Sequence, residues 1–502
     1  MRKERTCYSH LAPRPAPRYT SLPTRRIPIS RMIFIFVVLY LLVSVGIGLY
    51  AATRVHDARD FAVAGRSLPL PIVMATVFAT WFGAEAVMGI SATFAKEGLR
   101  GVVADPFGSS LCLMLAGLVF APRFYRLNLL TVGDYYRLRY DRRVEVLCTL
   151  CIVASYLGWV AAQFKVLGLV LSVVSDGAIS QQLGMVVGAV IVLTYTACGG
   201  MFSVAILDFV QLSVIIGGLL YIVSVVSDLT GGAGTVISHA AQAGKLEFFP
   251  PATWDAWIPF IGAGVTMMLG SIPQQDVFQR ITSAKDEQTA VRGSVMGAVL
   301  YFCFCFVPMF IAYSALLVDP VKFGALLERD FQLVLPTLIV EYTPPFAQVM
   351  FFGAVLSAVM SCSSATLLAP SVILSENVIK GAMPSMDERG LLRTMRIVLL
   401  CFAAVVLAIA LVSEASIYKL VVNTYKVTLV AAFVPLFAGL FWRGATTEGA
   451  ICAIGAGLIS WLGLEFIGPD NPMWPPQLVG LGMAGLGIII GSRLRGPSDH
   501  HG

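Results

Sequence analysis

Thirteen apolar runs of 17 to 32 residues follow one another between residues 32 and 492, and they constrain the fold more than any other feature. A helix of about 20 apolar residues crosses a hydrocarbon core of ~30 Å. Only helices and closed barrels satisfy their backbone groups in lipid, and the period-2 alternation of barrel strands is absent. Charged residues make up only 13% of the chain, against about a quarter in soluble domains. The fold class read from these runs is an all-α polytopic membrane protein of about 13 transmembrane helices, with the lipid bilayer as its surroundings.

Charge in the connections orients the helices. One set of alternate connections carries 19 Lys/Arg, and the other carries five, Lys96, Arg100, Lys245, Lys322 and Arg329. The richer set is expected to be cytoplasmic, in a cell inner (plasma) membrane. An odd helix count then places the C-terminus inside and the N-terminus outside. The net charge of +6 follows from this topology and needs no nucleic-acid partner. Residues 1–31 hold eight Lys/Arg, one acid and five prolines. Two readings stand: the tail lies inside, against the orientation of the first helix, or translation begins at Met32.

No enzyme is expected. The five histidines (His10, His56, His239, His500 and His501) fall outside the apolar runs, and no P-loop of an ATP-driven pump is present. Cys148 and Cys151 have the spacing of a metal or redox pair, but no second cluster accompanies them.

Two runs are interrupted. "FATWFGAEAVMGIS" (78–91) brackets Glu85 between Gly83 and Gly89, and "GSIPQQDVFQR" (270–280) carries Gly270 and Pro273. Broken helices survive in a bilayer where they line a cavity, and in secondary transporters their freed carbonyls coordinate cations. The two lie five runs apart, the spacing of an inverted repeat of five helices. Close packing is the plainer reading of such glycines.

These stretches, with "DFAVAGRSLPL" (60–70), "GGMFSVAILDFVQ" (199–211), "GAVLSAVMSCSSATLLAPS" (353–371) and "FWRGATTEGAICAIGAG" (441–457), resemble the sodium/solute symporter family from about residue 60 to beyond residue 443. The resemblance implies a leucine-transporter-like fold with a 5+5 inverted repeat. The expected organisation is an extra helix at 32–52, a first repeat at 68–226, a second at 255–442 and two further helices at 446–492. It implies cation-coupled uptake of a small organic solute by alternating access, with Na+ as the coupling ion. Proton-coupled or sodium-independent transport, and a solute-binding membrane sensor, stand as alternatives. Oligomeric state is not legible.

Carried over by position, the sodium ligands are the carbonyls of Ala79, Phe82 and Ala358 and the side chains of Ser361 and Cys362. Ala358, Ser361 and Cys362 lie at i, i+3 and i+4 on one helical face. Cys362 departs from the family pattern, where a hydroxyl is usual, and a thiol is a soft ligand for a hard cation. Asp208 is an intramembrane carboxylate; with Ser364 it is the candidate for a second ion site or for coupling. The candidate substrate cavity is lined by Trp81, Ser109, Trp159, Gln163 and Gln274. The first and third match aromatics of the choline-transporter branch, whereas Ser109 and Gln274 replace two others. Lys165 and Lys426, in the fourth and eleventh runs, argue instead for an anionic substrate, although the helical wheel turns Lys165 away from Trp159 and Gln163. The role of Glu85 is open; a hydrogen bond to the broken helix is its simplest reading. Asp276 is expected to be solvated at the cytoplasmic end, paired with Arg280 at i+4.

Overall fold

The computed structural model describes residues 30–415, 417–469 and 473–494, so the basic tail assigned to 1–31 lies almost wholly outside them. Apart from a bridge between Leu68 and Ala284, the described elements are helical. In chain order the main ones are α1 (Ser30–Ala52), α2 (Leu70–Trp81), α3 (Glu85–Glu97), α4 (Leu99–Leu127), α5 (Val132–Arg139), α6 (Arg142–Val174) and α7 (Gln181–Leu229). There follow α8 (Trp254–Gly270), α9 (Gln275–Thr282), α10 (Glu287–Val318), α11 (Pro345–Lys380), α12 (Glu388–Val412), α13 (Ile417–Phe441), α14 (Thr447–Ile467) and α15 (Pro476–Leu494).

Both sequence interruptions are bends. The axis turns by 55° between α2 and α3 and by 48° between α8 and α9. The two bent helices stand at the start of two successive runs of helices, α2/α3 to α7 and α8/α9 to α13. The bridge links them: Leu68, before α2, receives the Lys285 N–H and donates to the Ser283 carbonyl, both at 3.0 Å and just beyond α9.

The number of crossings depends on how kinked helices are counted. Among the described residues ten helices are long and apolar enough to cross, and the bent pairs raise this to twelve. The expected runs 181–197 and 203–226 are the two arms of α7, whose 49 residues would extend ~73 Å if straight, more than two bilayer cores, and which meet at a kink at Gly200. Gly200 interrupts it with φ 48°, a backbone that favours glycine, and a β-carbon there would lie 2.4 Å from the Phe61 carbonyl oxygen. A count of thirteen requires the two arms of α7 to cross separately.

Burial sorts the helices into centre and periphery. The most apolar window of α11 is 100% buried, whereas that of α14 is 22% buried. α11 packs on α2, α6 and α7, and its residues from Gly353 to Ile373 are all buried. Small residues crowd its central stretch (Ala354, Ser357, Ala358, Ser361, Ser363, Ser364), so neighbouring backbones approach closely. The break between α2 and α3 lies against this stretch.

Candidate functional site: the break between α2 and α3

The helix stops at Phe82, whose φ −86° and ψ 74° form an inverse γ-turn. Its ring is anchored between Phe78 and Phe304, at centroid distances of 4.9 and 5.4 Å. In an unbroken helix the Gly83 and Ala84 N–H groups would donate to the Ala79 and Thr80 carbonyls. Instead Gly83 N donates to the Trp81 oxygen at 3.1 Å, and Ala84 N donates to Gln163 Oε1 at 2.9 Å. Both helical donors are diverted, and the carbonyls of Ala79 and Thr80 lose their usual partners.

Gly83 is required by what faces it. A β-carbon at this position would lie 2.7 Å from Cys362 Cβ and Sγ and 2.8 Å from Gln163 Oε1. The neighbouring Ser361 donates to Asp208 Oδ1, and Thr76, one turn before Thr80, donates to Asp208 Oδ2. With its proton on Asp208, the Ser361 oxygen keeps its lone pairs for another ligand. Donors diverted from carbonyls, a hydroxyl oriented by a carboxylate and a third small residue, Ala358, on the same helical face suit a hard cation.

Ser364 is not joined to Asp208. Its hydroxyl donates to the Ser361 carbonyl at 2.9 Å, and the Asp208 contacts fall to Ser361 and Thr76. Gln211, one turn after Asp208, lies beside the Tyr40 hydroxyl, which bonds Ser357 at 2.5 Å.

On the other side of the break, Glu85 is buried. Trp159 Nε1 donates to its Oε1 at 2.9 Å, and Gln163 Nε2 donates to its Oε2 at 2.7 Å. Trp81, Trp159 and Tyr425 meet in a triangle with centroids 5.5 to 6.0 Å apart, and Tyr156 stacks on Trp159 at 6.1 Å. Ser109 donates to Asp105, which also accepts from Tyr301 at 2.7 Å. Gln274, at the α8/α9 break, donates to Ser155 Oγ at 2.9 Å. Thr428 donates to the Gly270 carbonyl at that break at 2.6 Å, so its freed oxygen is taken by a side chain.

Asp276 corrects an expectation. It is 0% exposed, and its carboxylate accepts from the Tyr156 hydroxyl. Its partner at i+4 turns elsewhere: Arg280 donates from Nε to Thr80 Oγ1 at 3.0 Å and from Nη1 to the Asp276 carbonyl at 3.3 Å. Bending at Gly270 carries this stretch inward rather than to the surface.

Both lysines lie away from the centre. Lys165 Nζ donates to the Ala415 carbonyl at 2.8 Å, in a groove shared with Arg329 and Glu414. Lys426 pairs with Glu465 of α14 at 2.8 Å. Sequence reading missed four residues that matter: Thr76, Asp105, Tyr301 and Tyr425. Asp105 carried a usable signal, an acid inside the apolar run 102–122. Tyr425 sat beside Lys426 and was overshadowed by it.

Comparison with known proteins agrees with this architecture. The model of the sodium:solute symporter family matches residues 61–457. The human high-affinity choline transporter 1 is 27% identical over 468 residues, covering 88% of this chain and 77% of the relative. The sodium/pantothenate symporter of Escherichia coli is 25% identical, covering 91% and 95%. A Na+-coupled sialic acid symporter, solved in a substrate-bound outward-open state, superimposes with a TM-score of 0.82 at 20% identity, over 94% of this chain and 99% of that one. At that identity the likeness speaks to the fold.

Proposed function

The chain belongs to the sodium:solute symporter family, and from that premise we propose that sodium binds at the break between α2 and α3 and that the transported solute is a small organic cation. As a member of the family, the protein is a secondary active transporter that couples sodium to the uptake of a small solute by alternating access. The proposed sodium ligands are the carbonyls of Ala79, Phe82 and Ala358, the Ser361 hydroxyl and the Cys362 thiol. Asp208 stands behind Ser361 and sets its orientation. The observation that carries this reading is the diversion of the Gly83 and Ala84 N–H groups, which frees the Ala79 and Thr80 carbonyls at a break packed against Cys362 of α11.

Charge and aromatic surface support the substrate class. Around the break, Glu85, Asp105, Asp208 and Asp276 are buried against one buried guanidinium, Arg280. An anionic solute would add to an excess of negative charge, and the two lysines that favoured an anion point elsewhere. The faces of Trp81, Trp159 and Tyr425 suit a cation. The relative named as a choline transporter agrees with this class. The uneven Lys/Arg distribution supports a plasma-membrane protein with a cytoplasmic C-terminus.

Uptake into proteoliposomes tests this function. Under an inward sodium gradient, labelled choline or ethanolamine should accumulate while pantothenate and acetate do not. Accumulation of an anion alone overturns the substrate class, and accumulation indifferent to sodium overturns the coupling.

A further inference from the structure

Cys362 leaves the proposed sodium site one hard oxygen short. The contact its sulfur makes is informative: Cys362 Sγ donates to Glu85 Oε1 at 3.9 Å. Two oxygens at adjacent corners of a hard cation, each ~2.4 Å from it, are ~3.4 Å apart. The larger radius of sulfur lengthens that separation, so the length of this S–H···O contact also allows the two groups to be neighbouring ligands of one ion.

The hydrogen bonds around Glu85 are those a carboxylate would accept. Ala84 N–H donates to Gln163 Oε1, which turns Gln163 Nε2 toward Glu85 Oε2. An indole N–H can only donate, and Trp159 gives its proton to Oε1. Both oxygens accept, Oε1 from Trp159 and Cys362 and Oε2 from Gln163, as those of an ionised carboxylate do. Yet Glu85 belongs to none of the eight ion pairs among the described residues. A buried carboxylate without a counter-cation is strongly unfavourable.

We propose that Glu85 is a direct ligand of the coupling sodium, supplying from the α3 side of the break the hard anionic oxygen that Cys362 lacks. The inference rests on the sodium site proposed above and deepens it. The ion would sit between two helices joined by one backbone turn, with the Glu85 carboxylate held by Trp159 and Gln163 of α6. Residue 362 would then tolerate sulfur because the charge comes from residue 85. Trp159 also belongs to the aromatic triangle, so sodium binding would order one wall of the solute site.

Sodium titration of intrinsic tryptophan fluorescence, with potassium as the balancing cation, tests this without transport. The full chain is compared with Glu85→Gln, Cys362→Ser, the double variant and Ser361→Ala. Glu85→Gln should raise the half-saturating sodium concentration at least about tenfold. Cys362→Ser should recover several-fold of that loss in the Glu85→Gln background, where its hydroxyl becomes the missing hard oxygen. Wild-type affinity in Glu85→Gln with loss in Ser361→Ala overturns the role of Glu85 and leaves the site standing. Wild-type affinity in both overturns the site itself. Should Glu85→Gln not fold, Glu85→Asp takes its place, because it keeps the charge and withdraws the oxygen by one methylene. Unchanged sodium affinity and unchanged selectivity over lithium in that variant would overturn the inference.

Discussion

Gly83 and Cys362 approach so closely that a β-carbon on residue 83 would lie 2.7 Å from both Cβ and Sγ of the cysteine. The broken helix is therefore seated on α11 by an absence of side chain. Gly83→Ala is expected to destabilise the protein by about 1–3 kcal/mol through overpacking. Thermal unfolding of the purified variant should show a lowered Tm, together with reduced sodium-driven uptake. An unchanged Tm would mean that the break does not rest on Cys362.

Asp208 holds the hydroxyls of Thr76 and Ser361 on its two oxygens, so the same carboxylate touches both sides of the proposed ion site. Asp208→Asn keeps one acceptor and removes the charge. The half-saturating sodium concentration for uptake should rise about tenfold or more, equivalent to at least ~1.4 kcal/mol. Thr76→Val, which removes one hydroxyl and no charge, should have a smaller effect in the same assay.

Gln163 bridges the two halves of the break by accepting from Ala84 N–H and donating to Glu85. Gln163→Leu strands a buried donor and weakens a buried carboxylate. Each such group costs about 1–3 kcal/mol. Both stability and sodium affinity should fall, the first read by thermal unfolding and the second by fluorescence titration.

Lys165 and Lys426 are satisfied at the periphery by the Ala415 carbonyl and by Glu465. Lys165→Met and Lys426→Met should keep sodium-dependent uptake within about twofold of the wild type, because partly exposed pairs contribute little, ~0–1 kcal/mol. Loss of uptake in Lys165→Met, with a change in its pH dependence, would revive a proton-coupled mechanism.

The legible part of this protein was the part encoded in apolar length and helix-breaking residues. Gly83, Gly270 and Pro273 announced the two bends. The sharp kink at Gly200, which joins two runs with almost no linker between them, was not legible, because one glycine among several in apolar runs gives no sign of a positive φ. The surroundings of the site were harder still. Asp208 was conspicuous as a buried charge, but its partners Thr76 and Ser361 come from segments 132 and 153 residues away. The lysines misled for a related reason: composition marks them as intramembrane, while a long flexible side chain can carry its charge to the edge. Glu85 reads from the sequence as a local support of the break; its 3.9 Å contact with Cys362 is what ties it to the proposed ion site.

The most direct test of the central claim is sodium-driven accumulation in proteoliposomes by wild-type protein and by Ser361→Ala, measured with labelled ethanolamine under an inward sodium gradient and under equal sodium on both sides. The account predicts accumulation above equilibrium only with the gradient and only in the wild type. It predicts that Ser361→Ala requires about tenfold more sodium or fails to accumulate. Equal accumulation by both proteins, or accumulation that ignores the sodium gradient, would contradict a coupling ion held at the break between α2 and α3.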